Sequence, residues 1–204
     1  MIGIIDYGIG NLASVEKALN KNGFSTVISD TISILDRCNG YILPGVGAFA
    51  DGMNALKERG LIEFLNRVVE ANKLLLGICL GMQLLFDSGE EDGHNLGLGF
   101  IKGTVEKIKT TYKIPHMGWN NIFYKQDSVL LEDIEKNEDF YFVHSYQAYP
   151  ENEESVIATC QYGQTIPAIV ASNNVFGIQF HPEKSSDKGL IILNNFGKLV
   201  DKWY

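Results

Sequence analysis

A short apolar run that enters a Gly-X-Cys-X-Gly turn and leaves it as a helical pattern constrains this fold more than any other feature. Residues 74–78 have the length and composition of a buried strand, and residues 80–86 have the periodicity of a helix. Because Gly77 and Gly81 flank Cys79, the backbone can turn sharply there and lift the thiol to the end of the sheet. A helix N-terminus beside that thiol favours the thiolate, which is the nucleophilic form. The alternative interpretation is a buried apolar cysteine, the commoner fate of a lone cysteine.

The segments before this elbow alternate between strand and helix patterns. Strands are predicted at residues 1–6, 25–29 and 40–43, and helices at residues 12–22, from the turn at residues 44–47 through residue 59, and at residues 61–72. Asn11 stands where it can cap the first helix, and Gly23 stands where it can end it. This alternation predicts βαβ units and a parallel sheet, whose functional sites lie outside the carboxyl ends of the strands. The glycine-rich turn at residues 44–47 and Cys79 both follow such strands.

Beyond Gly99 the pattern changes to short strands joined by turns. Strands are predicted at residues 105–108, 120–124, 140–144, 155–162, 166–171 and 175–180, and a last helix at residues 188–201. Strands linked by turns are typical of antiparallel additions to a sheet. We therefore predict one α/β domain over residues 1–204, with a mostly parallel central sheet, an antiparallel extension and flanking helices.

Composition argues against several classes of function. The chain carries 17 basic and 25 acidic side chains, a net charge of -8, and no clustered basic face, which argues against a nucleic-acid partner. No apolar run approaches the roughly 18 residues that cross a bilayer, and residues 1–6 lack the basic segment of a secretory signal. The three cysteines and four histidines are too scattered for a disulfide framework or a metal site. We therefore expect a cytoplasmic protein with no metal, no other cofactor and no membrane association.

A second motif, His181-Pro182-Glu183, supplies what a cysteine nucleophile needs: a base and a group that orients the base. Pro182 favours an extended backbone at His181, and residues two apart in an extended segment point to the same side. Glu183 would then hold the imidazole in one tautomer and stabilise its protonated form. The alternative is a strand-end histidine beside an exposed glutamate. Together with the Cys79 elbow, the motif predicts a Cys-His-Glu triad.

Three further groups could serve a substrate at this thiol. Gln83 follows Cys79 by four residues on one face of the predicted helix, where its amide could bind a polar substrate; the alternative is a surface glutamine. Negative charge that develops on a carbonyl oxygen under attack is stabilised by backbone N–H donors. The Leu80 amide is the expected first donor, and the turn at residues 44–47 is the expected second. The alternative for that turn is a plain strand-to-helix connection.

The full set of motifs resembles the class I, triad-type glutamine amidotransferases, and among them the glutaminase subunits of imidazole glycerol phosphate synthase. The motifs occur in order at residues 6–12, 43–47, 77–83, 115–120, 141–146 and 179–185, from one end of the chain to the other. The block Pro-His-Met-Gly-Trp-Asn at residues 115–120 is the most discriminating, since other amidotransferases of the class do not usually carry it.

This resemblance implies a flavodoxin-like fold and a chain that hydrolyses glutamine. Cys79 would attack the side-chain amide, His181 would protonate the departing ammonia, and Glu183 would orient His181, before water hydrolyses the thioester to glutamate. Family members hold glutamine or its oxyanion at the positions of Gly45, Gly47, Leu80, Gln83, Ser145 and Tyr146.

The resemblance also implies a heterodimer. Ammonia would pass to a cyclase subunit, a (β/α)8 barrel that makes imidazole glycerol phosphate and an aminoimidazole carboxamide ribotide in histidine biosynthesis. The glutaminase would be nearly idle until the cyclase and its ligand are bound. The partner face would include Asn11, Trp119, Tyr141 and Lys184.

Other functions share parts of this pattern. The amidotransferase subunits of anthranilate and guanylate synthesis have the same fold and triad, but the turn at residues 44–47 and the block at residues 115–120 weigh against them. A γ-glutamyl hydrolase shares the class but is normally secreted. A paralogue that supplies ammonia to a cyclase-like partner for the amidination of surface sugars would carry a similar glutaminase sequence. A catalytically silent binding subunit would not need the intact triad, and a thiol redox sensor would need a resolving cysteine near Cys79.

Overall fold

A computed structural model describes residues 1–203 as alternating strands and helices followed by a region rich in strands. The helices are α1 (Leu12–Lys21), α2 (Ile32–Leu35), α3 (Phe49–Glu58), α4 (Leu61–Glu70), α5 (Leu80–Leu84) and α6 (Ser186–Lys202). The strands are β1 (Ile2–Ile5), β2 (Thr26–Ser29), β3 (Gly40–Gly45), β4 (Leu74–Cys79), β5 (Phe86–Gly89), β6 (Asn95–Leu96), β7 (Ile101–Lys107), β8 (His116–Asn121), β9 (Phe123–Tyr124), β10 (Asp139–His144), β11 (Tyr146–Pro150), β12 (Val156–Gln161), β13 (Thr165–Ser172) and β14 (Val175–Ile178). Short 3-10 turns lie at Val129–Leu131, Glu153–Ser155 and Pro182–Lys184.

An eight-stranded sheet forms the centre of the molecule, in the order β2-β1-β3-β4-β14-β13-β12-β9. The strands from β2 to β14 pair in parallel, and the last three pair antiparallel. Strands β1, β3 and β4 are buried along their whole length, as expected where helices cover both faces of a parallel sheet. The predicted fold class, a mostly parallel α/β sheet with an antiparallel extension, is confirmed.

Alternation of side chains along β4 divides the core into two layers. On one face of the sheet, Leu76 and Ile78 belong to a buried cluster with Phe196 of α6. On the other face, Leu75 belongs to a second buried cluster with Leu65 of α4. Burial of each such side chain stabilises the fold by about 1.5–3 kcal/mol. The parallel strands are therefore fixed between two helical layers, and this fixes the loops at their carboxyl ends.

Strand β14 differs from its prediction. It was expected in the antiparallel extension, but it pairs parallel with β4, from Val175 opposite Leu75 to Ile178 opposite Ile78. The direction of pairing depends on a partner in the other half of the chain, and no local pattern reveals it. This pairing inserts β14 directly beside the elbow.

The remaining differences concern short elements and element ends. Helix α2 and strands β5, β6 and β11 were not predicted, partly because Asp87, Gly89 and Pro150 are residues typical of turns. The helix predicted at residues 80–86 ends at Leu84. Asn11 occupies the N-cap position of α1, as predicted, but its side chain makes no capping hydrogen bond.

Two smaller sheets extend the structure beyond the central one, with the orders β10-β8 and β11-β7-β5-β6. Strands β8 and β10 pair antiparallel over their full length, from Asn121 opposite Asp139 to His116 opposite His144. This ladder brings the predicted motifs at residues 115–120 and 141–146 together beside the carboxyl ends of the parallel strands.

Candidate active site

Cys79 forms the turn between β4 and α5 in a strained conformation. Its φ of 54° and ψ of -110° lie outside the favoured regions for a residue with a Cβ, at a cost of about 1–3 kcal/mol. The backbone packs so closely around Cys79 that neither flanking glycine could carry a side chain. A Cβ at Gly81 would collide with the carbonyl oxygen of Leu43, and one at Gly77 would lie 2.6 Å from the carbonyl oxygen of Gly81. The predicted elbow is present, and it depends on both flanking glycines.

The thiol lies at the carboxyl end of the parallel sheet, between the ends of two neighbouring strands. Gly45 of β3 pairs with Cys79, and β14 on the other side leads to His181. A cavity of about 530 Å³ opens over these ends. It is lined by Val46, Gly47, Ala48, Cys79, Leu80, Gln83, Glu91, Pro115, Val143, His144, Ser145, Tyr146 and His181. The topology of the sheet thus brings the cysteine and the histidine of the two motifs into one cavity.

His181 and Glu183 are paired, although not through the extended segment that was predicted. His181 Nδ1 lies 2.9 Å from Glu183 Oε1, and both side chains are buried, with exposed fractions of 2% and 1%. Pro182 leaves His181 extended, at a φ of -99° and a ψ of 96°, but itself starts the 3-10 turn Pro182–Lys184. Proline suits the first position of a helical turn because its φ is already helical and it lacks an N–H. The turn, rather than alternation along a strand, returns the carboxylate to the imidazole.

The imidazole of His181 is set to carry a proton. Burial lowers its pKa, but interactions with Cys79 and Glu183 outweigh burial and raise the pKa to about 9. Because Glu183 holds Nδ1, Nε2 is the nitrogen that can exchange a proton with a group in the cavity. Nε2 is buried and has no hydrogen-bond partner among the described residues.

Two groups lie at the long distance typical of weak hydrogen bonds to sulfur. Gln179 Nε2 is 3.9 Å from Cys79 Sγ, and the carbonyl oxygen of Val143 is also 3.9 Å from it. Gln179 is fully buried and was missed by the sequence analysis. The available signal was a glutamine at the end of an apolar strand run, since a buried amide requires polar partners.

Five of the six residues assigned to glutamine by resemblance line the cavity, namely Gly47, Leu80, Gln83, Ser145 and Tyr146. The Leu80 N–H belongs to the first turn of α5, where no acceptor exists within the helix. Gly47 has a φ of 103°, which glycine adopts without steric cost. Gly45 is not part of the wall; it lies within β3 against the buried hydroxyl of Tyr7.

Gln83 lines the cavity, and the hydrogens of its amide are directed at partners within the protein. Gln83 Nε2 donates to the carbonyl oxygen of Tyr146 at 3.0 Å and to Gln179 Oε1 at 3.1 Å. Both hydrogens of the amide are therefore used within the protein, and Oε1 is the atom left for a ligand. In the contact to a polar substrate that the sequence predicts, Gln83 Oε1 would therefore be the hydrogen-bond acceptor.

Two further histidines lie beside the cavity and were given no role by the sequence analysis. His116 and His144 end the β8–β10 ladder as a direct pair and are buried. Burial lowers the pKa of His116 to about 4. Burial, with smaller contributions from His116 and His181, lowers the pKa of His144 to about 3. The available signal was alternation in the block at residues 115–120, where Met117 and Trp119 point outwards and His116 points inwards.

The four residues assigned to a partner by resemblance lie on elements near the 3-10 turn that follows His181. Trp119 is 54% exposed, and its ring meets the ring of Tyr141 edge to face at 6.1 Å. Lys184 is exposed in the 3-10 turn, and Asn11 is half-buried at the start of α1. The carbonyl oxygen of Tyr141 accepts a hydrogen bond from the His181 N–H at 2.9 Å, so Tyr141 contacts His181 directly.

The other two cysteines are not part of this site. Cys38 and Cys160 are free and buried, and burial raises the pKa of both thiols, that of Cys160 to about 12. Within residues 1–203 no group of three or more His, Cys, Asp or Glu side chains is placed to hold a metal ion. The same part of the chain contains no helix long and apolar enough to cross a bilayer.

Comparison with known proteins agrees with the motifs and the fold. The family model for glutamine amidotransferase class-I matches residues 3–199. Imidazole glycerol phosphate synthase subunit HisH of Desulfitobacterium hafniense is 51% identical over 202 residues, which cover 99% of this chain and 96% of that protein. The subunit of the same name from Moorella thermoacetica is 47% identical over 199 residues, which cover 98% and 95% of the two chains. The structure of PurLQS from Thermotoga maritima shares the fold, with a TM-score of 0.75 at 22% identity over 99% of this chain and 97% of that chain. The chain therefore belongs to the class-I glutamine amidotransferase family of enzymes.

Proposed function

We propose that this protein hydrolyses glutamine to glutamate and ammonia, with Cys79 as nucleophile, His181 as acid and base, and Glu183 as the group that orients His181. The observation that carries the proposal is the buried His181–Glu183 pair, 2.9 Å apart, whose histidine lines the same cavity as the strained Cys79. A protonated imidazole beside a thiol favours the thiolate, and the raised pKa of His181 supports that arrangement.

In the first half of the reaction, the Cys79 thiolate attacks the carbonyl carbon of the side-chain amide of glutamine. His181 Nε2 gives its proton to the amide nitrogen as the C–N bond breaks, so that ammonia leaves and a γ-glutamyl thioester remains. In the second half, neutral His181 takes a proton from water, whose oxygen attacks the thioester carbonyl. The C–S bond then breaks and glutamate leaves. Glu183 keeps Nδ1 protonated throughout, so that both proton transfers occur at Nε2.

Backbone N–H groups would stabilise the oxyanion that forms in each half. Leu80 supplies the first, from the open end of α5, and the turn at Gly47 supplies the second. Gln83, Ser145 and Tyr146, which also line the cavity, would bind the rest of the glutamine molecule. Gly45 lies within β3 and would affect the conformation of the turn rather than contact glutamine itself.

We further propose that the ammonia passes to a cyclase subunit, a (β/α)8 barrel that makes imidazole glycerol phosphate and an aminoimidazole carboxamide ribotide in histidine biosynthesis. The names of the relatives, subunits of imidazole glycerol phosphate synthase, support this assignment and a cytoplasmic location. Contact with the cyclase would involve Asn11, Trp119, Tyr141 and Lys184. The hydrogen bond from the His181 N–H to the Tyr141 carbonyl oxygen gives such contact a direct route to the catalytic base.

The test is glutamate release from glutamine, measured with and without a purified histidine-pathway cyclase and its ribonucleotide ligand. Wild type is compared with Cys79→Ala, and Cys160→Ala is the matched control because it removes a buried thiol outside the cavity. We expect strong stimulation by the cyclase in wild type and in Cys160→Ala, and no activity in Cys79→Ala.

The other outcomes separate the alternatives. Activity that depends on Cys79 but ignores this cyclase would retain the glutaminase and assign it to another partner, such as the cyclase-like protein of a surface-sugar pathway. A lack of activity in every combination would contradict the proposed triad.

A further inference from the structure

A continuous series of hydrogen bonds runs from β8 to the wall of the cavity. Asn120 Nδ2 lies 3.1 Å from His116 Nε2, and His116 Nδ1 lies 2.9 Å from His144 Nε2. His144 Nδ1 in turn lies 2.8 Å from the carbonyl oxygen of Tyr146. We name these four groups, Asn120, His116, His144 and the Tyr146 carbonyl, the histidine relay.

The acceptor at one end of the relay fixes every proton along it. A carbonyl oxygen can only accept, so His144 Nδ1 carries a hydrogen and donates it to Tyr146. His144 Nε2 is then the acceptor of a neutral ring, which makes His116 Nδ1 the donor and leaves His116 Nε2 to accept from Asn120. A proton added to either ring would set two N–H groups against each other. The relay is complete only while both imidazoles are neutral.

Aromatic side chains hold the relay in place. The His116 ring is stacked between Phe142, at a centroid distance of 4.8 Å, and Tyr162, at 4.1 Å. The Tyr162 hydroxyl donates to the carbonyl oxygen of Lys113 at 2.6 Å, which fixes the outer ring of this stack. The two histidines are therefore restrained in position as well as in tautomer.

The inner end of the relay meets the groups that surround the thiol. The Tyr146 carbonyl oxygen accepts from His144 Nδ1 and also from Gln83 Nε2. The second hydrogen of Gln83 Nε2 goes to Gln179 Oε1, and Gln179 Nε2 lies 3.9 Å from Cys79 Sγ. The relay is thus connected through the Tyr146 carbonyl to the Gln83 amide and, through Gln179, to the surroundings of the thiol.

We propose that His116 and His144 are positioning residues that fix the Tyr146 carbonyl and, through it, the orientation in which Gln83 offers Oε1 to the hydrogen-bond donors of glutamine. The inference rests on the proposed function and deepens it. Without the donor at His144, the Tyr146 carbonyl loses one of its two partners and can rotate. Gln83 Nε2 then keeps only Gln179 Oε1 as a partner, and the amide can turn its NH₂ group towards the cavity, where it faces the NH₂ or ammonium donors of the substrate.

Substitutions at His144 separate the donor from the bulk of the ring. His144→Leu removes the hydrogen-bond donor, whereas His144→Asn keeps an N–H close to the position of Nδ1. His116→Phe preserves a ring for the stack with Phe142 and Tyr162 but takes away the donor to His144. His94→Leu is the matched control, because His94 is an exposed histidine outside the cavity.

The measurement is covalent labelling of Cys79, made with the cyclase and its ribonucleotide ligand present in every sample. The glutamine-shaped electrophile 6-diazo-5-oxo-L-norleucine reports recognition through the concentration that half-saturates its labelling rate. Iodoacetamide, which lacks the glutamine skeleton, reports the reactivity of the thiol. We expect the half-saturating concentration to rise at least tenfold in His144→Leu and at least threefold in His116→Phe. We expect a change below threefold in His144→Asn and none in His94→Leu, with the iodoacetamide rate within twofold of wild type throughout.

Each result has a defined meaning. An unchanged half-saturating concentration in His144→Leu, or an equal rise in His144→Asn, would overturn the relay as a positioning device while leaving the glutaminase in place. If His144→Leu does not fold, His116→Phe decides, and an unchanged value there overturns the inference. A wild-type protein whose labelling by the diazo compound does not saturate would contradict the proposed function, and the relay with it.

Discussion

The site of His181 differs in its preferred protonation state from the site of His116 and His144, which we call the neutral region. The imidazole of His181 favours the charged form, whereas those of the neutral region favour the neutral form. His181 and His144 are both buried, at 2% and 6% exposure, and burial disfavours the imidazolium in each. At His181 the Glu183 carboxylate and the Cys79 sulfur overcome burial and raise the pKa to about 9. At His144 the neighbours are a carbonyl oxygen and another imidazole, and the pKa falls to about 3. The chemistry of the partners, not the depth of burial, therefore separates a proton donor from a fixed hydrogen-bond relay.

Removing the charge of the Glu183 carboxylate should reduce this difference between His181 and His144 more than any other change. In Glu183→Gln, His181 loses an anionic partner, so its pKa falls and its tautomer is no longer fixed. We expect kcat/KM for glutamine, measured with the cyclase present, to drop by about 10²- to 10⁴-fold. The alkaline limb of the pH–rate profile should also move to lower pH, because the imidazolium of His181 is lost as pH rises through its pKa.

The matched control for this change is Glu90→Gln. Glu90 Oε1 lies 2.7 Å from His94 Nδ1, a distance similar to that in the triad, but the pair is exposed and outside the cavity. Activity should stay within twofold of wild type. An equal loss of activity in both variants would contradict the special role of the buried pair.

The second prediction concerns acid stability and tests the neutral region. The pKa of His116 and His144 is about 4 and about 3 in the folded state and about 6.5 in the unfolded chain. A depressed pKa contributes stability that is complete above pH 6.5 and is lost as pH falls, because the unfolded chain then binds more protons. By pH 5 the loss reaches about 2 kcal/mol for each histidine. His181, whose folded pKa is raised, contributes stability that becomes complete below pH 6.5, so it opposes this loss by less than about 1 kcal/mol between pH 7 and pH 5.

Urea unfolding at pH 7 and at pH 5 measures this loss. Wild type should lose stability between the two values, and His116→Phe should lose about 2 kcal/mol less, since one buried neutral histidine is gone. Equal losses in the two proteins would show that the imidazoles of the relay are not held neutral.

A smaller effect is expected at Tyr162, whose ring stacks on His116 of the relay. Tyr162→Phe removes the hydrogen bond to the Lys113 carbonyl oxygen but keeps the ring stacked on His116. We expect a loss of about 0.5–1.5 kcal/mol in the free energy of unfolding. The half-saturating concentration of the diazo compound should not change. A recognition defect as large as that of His144→Leu would mean that the hydroxyl, and not the ring stack, positions His116.

The elbow at Cys79 was predictable from sequence because its determinants are local. Gly77, Cys79 and Gly81 lie within one short turn, and the apolar run before them already defines a buried strand. The pairing of His181 with Glu183 was also predicted, but for the wrong backbone. Pro182 favours both an extended residue before it and a helical turn after it, and the structure uses both preferences at once.

The neutral region was not predictable because its contacts join distant segments. His116 and His144 meet only through the β8–β10 ladder, and nothing near either residue specifies that register. The parallel pairing of β14 with β4 is non-local in the same way. Gln83 lay on the predicted helix face, but the atoms to which it donates belong to distant residues. Tyr146 begins β11, and Gln179 directly follows β14.

The smallest effect is expected at His94, the histidine outside both regions. His94 Nδ1 lies 2.7 Å from Glu90 Oε1, slightly closer than His181 lies to Glu183, but the two side chains are 62% and 43% exposed. Water screens such a pair, and ordering two exposed side chains offsets much of the attraction. His94→Ala should therefore change the free energy of unfolding by less than about 1 kcal/mol, and glutamine hydrolysis with the cyclase should not change. A loss comparable with that of Glu183→Gln would mean that the distance between imidazole and carboxylate, rather than burial beside the thiol, determines what the His181 pair does.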